Sequence, residues 1–168
     1  MDSSSRRTTT HIFTDGSVGQ ERDSAGAEIY TINHDAYCSM NIGAQQCKQL
    51  YALKETKNYA IENNLQDVII HTDSKSSHQA LLSSQNRDNI QLITEILHIR
   101  KAHNLGLSVT LNWIPSHIGI DGNEKADSLA KSNTALPVVQ IRILPSFSQI
   151  KEQIKKKILL IIKSRHRA

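Results

Sequence analysis

The chain has only two cysteines, Cys38 and Cys47. That number argues against a disulfide-stapled scaffold and fits an intracellular protein, nuclear or cytoplasmic, with reduced thiols. Long apolar runs are missing too. The longest late run, Ile158 to Ile162, is five residues between Lys157 and Lys163, too short to span a bilayer, so no membrane partner is expected. The first residues, Met1-Asp2-Ser3-Ser4-Ser5-Arg6-Arg7, contain no apolar segment of the kind found in a secretory signal. No internal repeat is visible. A uniformly basic body is also absent, although the net charge is +4. Residues 11–150 hold 11 Lys/Arg and 14 Asp/Glu, whereas residues 151–168 hold seven Lys/Arg and one Glu. The positive charge sits in the tail, so nucleic-acid affinity cannot be argued from the body's overall charge.

What is present suits one soluble domain. The 168 residues are 38% apolar and 21% charged, enough for a real core with a short appendage. Residues 1–10 are rich in Ser and Thr and read as disordered. Ile12-Phe13-Thr14 reads as a short strand ending in Asp15-Gly16-Ser17. Ala25, Ala27 and Ile29 alternate with polar or small residues, and Cys38, Met40 and Ile42 do the same after a turn at Asn33-His34-Asp35. These segments predict a three-strand antiparallel meander. Helix formers follow from Cys47 to Asn63. Asp67 to Thr72 reads as a strand buried on both faces and ends at Asp73. Ser74-Lys75-Ser76-Ser77 starts a short helix to Leu82, and a longer helix is expected from Asn86 to Lys101. Val109, Leu111 and Trp113 mark a half-buried strand with Trp113 in the core. After Pro115 and Gly119, Asp121-Gly122-Asn123-Glu124 reads as a helix opening with a capping residue and an acid three positions on.

The order β-β-β-α-β-α-α-β-α predicts an α/β fold: a five-stranded mixed sheet with helices on both faces. The domain is expected over 11–132 and a linker over 133–147. A basic amphipathic helix is expected over 148–168, capped through Ser146-Phe147-Ser148-Gln149 and striped by Ile150, Ile154, Ile158, Ile161 and Ile162.

Two strand-terminal aspartates, Asp15 and Asp73, and the helix-borne Asp127 can converge at one end of such a sheet. Clustered carboxylates repel unless cations neutralise them. Hard divalent ions, Mg²⁺ above all, are their natural partners. Two such ions roughly 3.5–4 Å apart can support phosphodiester cleavage. His117, on a loop, then suits a proton shuttle or product-release group.

The ordered set Phe13-Thr14-Asp15-Gly16-Ser17, Gln49-Leu50-Tyr51-Ala52, His71-Thr72-Asp73-Ser74-Lys75-Ser76 and Trp113-Ile114-Pro115-Ser116-His117 through Gly122-Asn123-Glu124-Lys125-Ala126-Asp127 resembles type 1 ribonuclease H domains. It looks most like those in reverse transcriptases of non-LTR retrotransposons. The resemblance covers roughly 11–132. It implies a ribonuclease H-like fold and Mg²⁺-dependent endonucleolytic cleavage of the RNA strand in RNA–DNA hybrids. Two ions would bind with substrate, and Mn²⁺ could substitute. The reverse transcriptase part of a parent polyprotein would be a further partner. It implies Asp15, Asp73 and Asp127 as metal ligands and His117 as the loop histidine. The family's second acid is a helix glutamate, and here Gln49 stands in its place. An amide can coordinate but brings no charge, so activity should be impaired. Glu55, about 240° around the helix from Gln49, is no obvious replacement.

Several residues keep two readings. Ser74 and Ser76 could bind a substrate phosphate at a helix N-terminus or simply cap it. Glu124 is a capping acid or a ligand. His71 is a packed or surface histidine. The tail is a solvated helical face or a source of salt-dependent nucleic-acid affinity. The function is an enzyme, a weakly cutting hybrid-binding module, or a structural remnant of a retroelement polyprotein.

Overall fold

A computed structural model describes residues 8–19, 25–32, 37–42, 48–82, 106–135 and 147–165. Five strands form one sheet: β1 (Thr9–Val18), β2 (Ala25–Thr31), β3 (Tyr37–Ile42), β4 (Asp67–Thr72) and β5 (Ser108–Trp113). Their spatial order is β3-β2-β1-β4-β5. The β1–β2 and β2–β3 pairs are antiparallel, as the meander predicts. β4 and β5 join in parallel, β4 against β1 and β5 against β4. The helices are α1 (Lys48–Glu62), α2 (Lys75–Leu82), α3 (Asp121–Asn133) and α4 (Phe147–Arg165). The helix expected between Asn86 and Lys101 lies outside the described residues, as does Ser146.

The two faces of β1 explain the layers. Ile12 and every second residue from it face α1, because Ile12, Ala27, Ile29, Val68 and Ile70 cluster with Leu50, Leu53 and Ala60. Phe13 points the other way and packs with Ile114 and Ala126 of the α3 side. Helices therefore cover both faces. α3 lies close to the sheet because two positions lack a Cβ. A Cβ on Gly26 would sit 2.1 Å from the Ala130 carbonyl oxygen, and one on Gly122 would sit 2.3 Å from the Phe13 ring. At the far end of α3, the Asn133 amide donates to the fully buried Glu28 carboxylate at 2.7 Å.

Four expectations need correction. β1 begins at Thr9, where the Thr9 hydroxyl donates to Asp67 at 2.6 Å, so ordered structure begins before residue 11. β1 also runs past Asp15 to Val18, because Gly16, Ser17 and Val18 pair with Ala27, Gly26 and Ala25. Asp15 is thus inside a strand rather than at its end. β4 is buried on one face only: Val68, Ile70 and Thr72 are buried, while Asp67, Ile69 and His71 are partly exposed. His71 is packed there, stacked on Phe13 and His11, with its Nε2 2.9 Å from His11 Nδ1. Finally, Asp121 is already helical. Ile120 is the N-cap and makes no side-chain cap bond. Asp121 and Glu124 instead bring negative charge to the first turn, where the helix dipole favours it.

α4 carries the expected stripe. Ile150, Ile154, Ile158, Ile161 and Ile162 are all exposed among the described residues. No described helix is long and apolar enough to cross a membrane.

Candidate active site

The strand register brings the acids together. β1 and β4 run parallel with Thr14 beside Thr72, so Asp15, the next residue of β1, and Asp73, the first residue past β4, follow side by side. Adjacent strands lie about 4.8 Å apart. Thr72 is level with Trp113, so the loop after β5 leaves from the same edge. That loop carries His117, whose φ of 55° places it in the left-handed region, and Gly119 follows at φ 78°. α3 then returns across the sheet with Asp127 on its second turn. The first turn of α1, with Lys48 and Gln49, abuts Gly16.

Asp15 feels this assembly most. Its side chain is only 6% exposed, and its carboxyl is pushed up from 3.8 to about 6. Burial is the main cause. The Gly16 backbone N–H opposes it, and the charges of Asp73 and Asp127 add to it. Three carboxylates from β1, the end of β4 and α3 therefore share one electrostatic neighbourhood. Asp127 also ion-pairs with Lys131, one helical turn on, at 2.5 Å. His117, Glu124 and Asp127 each offer a ligand atom, and these lie within 4.8 Å of one another. His117 Nδ1 is 3.8 Å from Glu124, too far for a hydrogen bond but close enough for charge attraction when the ring is protonated. Glu124 is thus beside the cluster and not in a capping box.

Gln49 reaches the site's edge. Its amide nitrogen lies 3.5 Å from the Gly16 carbonyl, a long contact directly after Asp15. Ser74 acts as a cap: the Ser77 N–H donates to its hydroxyl at 3.2 Å, and that hydroxyl donates to Ser77 Oγ at 2.9 Å. Ser76 is exposed and bonds only to Ser74 among the described residues, at 3.2 Å.

The family model for RNase H matches residues 7–135. The chain belongs to the RNase H family. Among solved structures, this RNase H chain is similar to RNase H1 from the halophilic archaeon Halobacterium salinarum NRC-1. The identity is 19%, 73% of this chain and 95% of that chain are covered, and the TM-score is 0.57. That likeness supports the fold. RNase H enzymes generally depend on divalent metal, and the donor set here fits: oxygen ligands around a carboxyl that burial, with the charges of Asp73 and Asp127 added, already raises.

Three contributors were not read from the sequence. Trp113 is not core; it is 41% exposed, and its indole N–H donates to the Asp73 carbonyl at 3.1 Å. It braces the backbone that presents Asp73. Lys131 neutralises Asp127, and the i, i+4 spacing was the available signal. Lys48 lies in the field of all three aspartates, and nothing in its local sequence marks it.

Proposed function

We propose that this RNase H domain is a Mg²⁺-dependent endoribonuclease acting on the RNA strand of RNA–DNA hybrids. The observation that carries the reading is the electrostatic convergence of Asp15, Asp73 and Asp127 from three separate elements. Asp15, Asp73 and Asp127 would hold the metal, with Mn²⁺ able to substitute for Mg²⁺. When bound, a pair of divalent ions supplies an acidified water and charge stabilisation at the leaving oxygen. Trp113 fixes the Asp73 backbone through its indole N–H. His117, on its exposed loop with Glu124 3.8 Å from its Nδ1, carries protons to and from the site edge. The ribose 2′-hydroxyl distinguishes the RNA strand from the DNA strand.

The motif order supports the finer reading of a domain from a non-LTR retrotransposon reverse transcriptase. One feature favours a second reading, a hybrid-binding module that cuts slowly: Gln49 brings no negative charge where the family has a glutamate. The test uses a hybrid with labelled RNA, with double-stranded RNA and DNA as controls. Metal-dependent RNA cleavage confined to the hybrid, lost in Asp73→Asn, supports the enzyme. Hybrid binding with a steep salt slope and no cleavage selects the module. Neither binding nor cleavage overturns both.

A further inference from the structure

Lys48 opens α1 beside Gln49, and its stem lies directly on Gly16. A Cβ on Gly16 would be 2.7 Å from Lys48 Cγ and 2.9 Å from Lys48 Cβ. Only a glycine next to Asp15 leaves room for that stem. The side chain is half-buried, and its charge interacts with Asp15, Asp73 and Asp127 together. Burial lowers the ammonium's pKa, while each of the three carboxylates works to hold its proton on. In the reverse direction, Lys48 pulls the Asp15 carboxyl down. Lys131 also interacts with Asp15 and Asp127, but from a fully exposed position where water screens it.

We propose that Lys48 is a resident cation of the carboxylate cluster, held over Gly16, which weakens the protein's affinity for divalent cations. The inference rests on the reading of Asp15, Asp73 and Asp127 as metal ligands. Two neighbouring residues then act in the same direction. Gln49 withholds a negative charge from the cluster and Lys48 adds a positive one. A divalent ion entering the cluster meets a like charge that is tethered and partly shielded from water, so the repulsion is stronger than at an exposed lysine. Lys48 is a positioning residue: it acts on metal and substrate through the field it imposes on the carboxylates.

The experiment measures Mn²⁺ and Mg²⁺ binding by calorimetry, with thermal melts in EDTA, for the full chain and for Lys48→Met, Lys48→Arg, Lys131→Met and Gln49→Glu. Methionine keeps an unbranched stem over Gly16 and removes the charge. Lys48→Met should bind Mn²⁺ at least about fivefold more tightly, and should melt no lower than the unmodified chain in EDTA, because burial outweighs the acids' attraction in lowering the Lys48 ammonium. Lys48→Arg should stay within about twofold of the unmodified chain in affinity, and Lys131→Met should change less than Lys48→Met. Unchanged affinity in Lys48→Met overturns the inference while leaving the metal site standing. If no variant, Gln49→Glu included, binds either ion, the metal-site reading fails and this inference falls with it.

Discussion

Replacing Asp15 by asparagine should stabilise the metal-free protein. An aspartate in the unfolded chain ionises near 3.8, whereas folded Asp15 ionises at about 6. Between those values the folded state holds a proton that the unfolded chain has released. This group's contribution is therefore most favourable at low pH, falls as pH rises through that window, and stays lost above it. The gap converts to about 3 kcal/mol at neutral pH. Asparagine has nearly the same shape, carries no charge and keeps an oxygen toward the Gly16 N–H. In EDTA at pH 7.5, Asp15→Asn should therefore be more stable than the unmodified chain by about 2–3 kcal/mol, or roughly 5–10 °C in melting temperature. The two proteins should converge as pH falls toward 4. Divalent metal should raise the melting temperature of the unmodified chain and leave Asp15→Asn nearly unmoved. Chemical denaturation across that pH range, with and without metal, gives the comparison. Equal or lower stability of Asp15→Asn at pH 7.5, or a difference that does not change with pH, would refute the reasoning.

Gly26→Ala should cost about 3 kcal/mol or more, because the new methyl meets the Ala130 backbone carbonyl, which no side-chain rotation can clear; urea unfolding measures it. Asn133→Ala should cost about 2–4 kcal/mol by taking the amide from the buried Glu28 carboxylate, and Asn133→Gln should not recover all of it. Trp113→Phe removes the indole N–H from the Asp73 carbonyl; stability should fall by about 1 kcal/mol, and the cleavage rate should fall severalfold with little change in hybrid affinity.

Much of the architecture was legible because it follows from local pattern. The alternation in Ala25–Thr31 and the apolar run of Asp67–Thr72 place β2 and β4, and the helix formers after Cys47 place α1. Asp73 and Asp127 could be placed because each adjoins a clear element boundary or helix face. Asp15 was placed less well. Asp15-Gly16-Ser17 looks like a turn, but Gly16 is a strand residue whose missing side chain admits the Lys48 stem. That contact is tertiary and leaves no periodic trace. Trp113 fits the inward phase of β5, yet its indole is held at the exposed end of the strand by the Asp73 carbonyl. Asp121-Gly122-Asn123-Glu124 matches a capping box in composition, but the helix starts one residue earlier than that box requires. The charges around the carboxylates were hardest to read. Lys131 is recognisable from its i, i+4 spacing to Asp127, whereas Lys48 is 33 positions from Asp15 in sequence and joins it only through the packing of α1 on β1.

The central claim is that Asp15, Asp73 and Asp127 form a hybrid-cleaving site limited by the missing charge at Gln49. The most direct measurement is the rate of RNA cleavage in a labelled RNA–DNA hybrid with Mg²⁺, for the unmodified chain and for Gln49→Glu side by side. The account predicts cleavage at least about tenfold faster in Gln49→Glu, equivalent to about 1.4 kcal/mol in the barrier. Equal rates would contradict the role given to Gln49, and a Gln49→Glu protein that leaves the RNA strand intact would contradict the site itself.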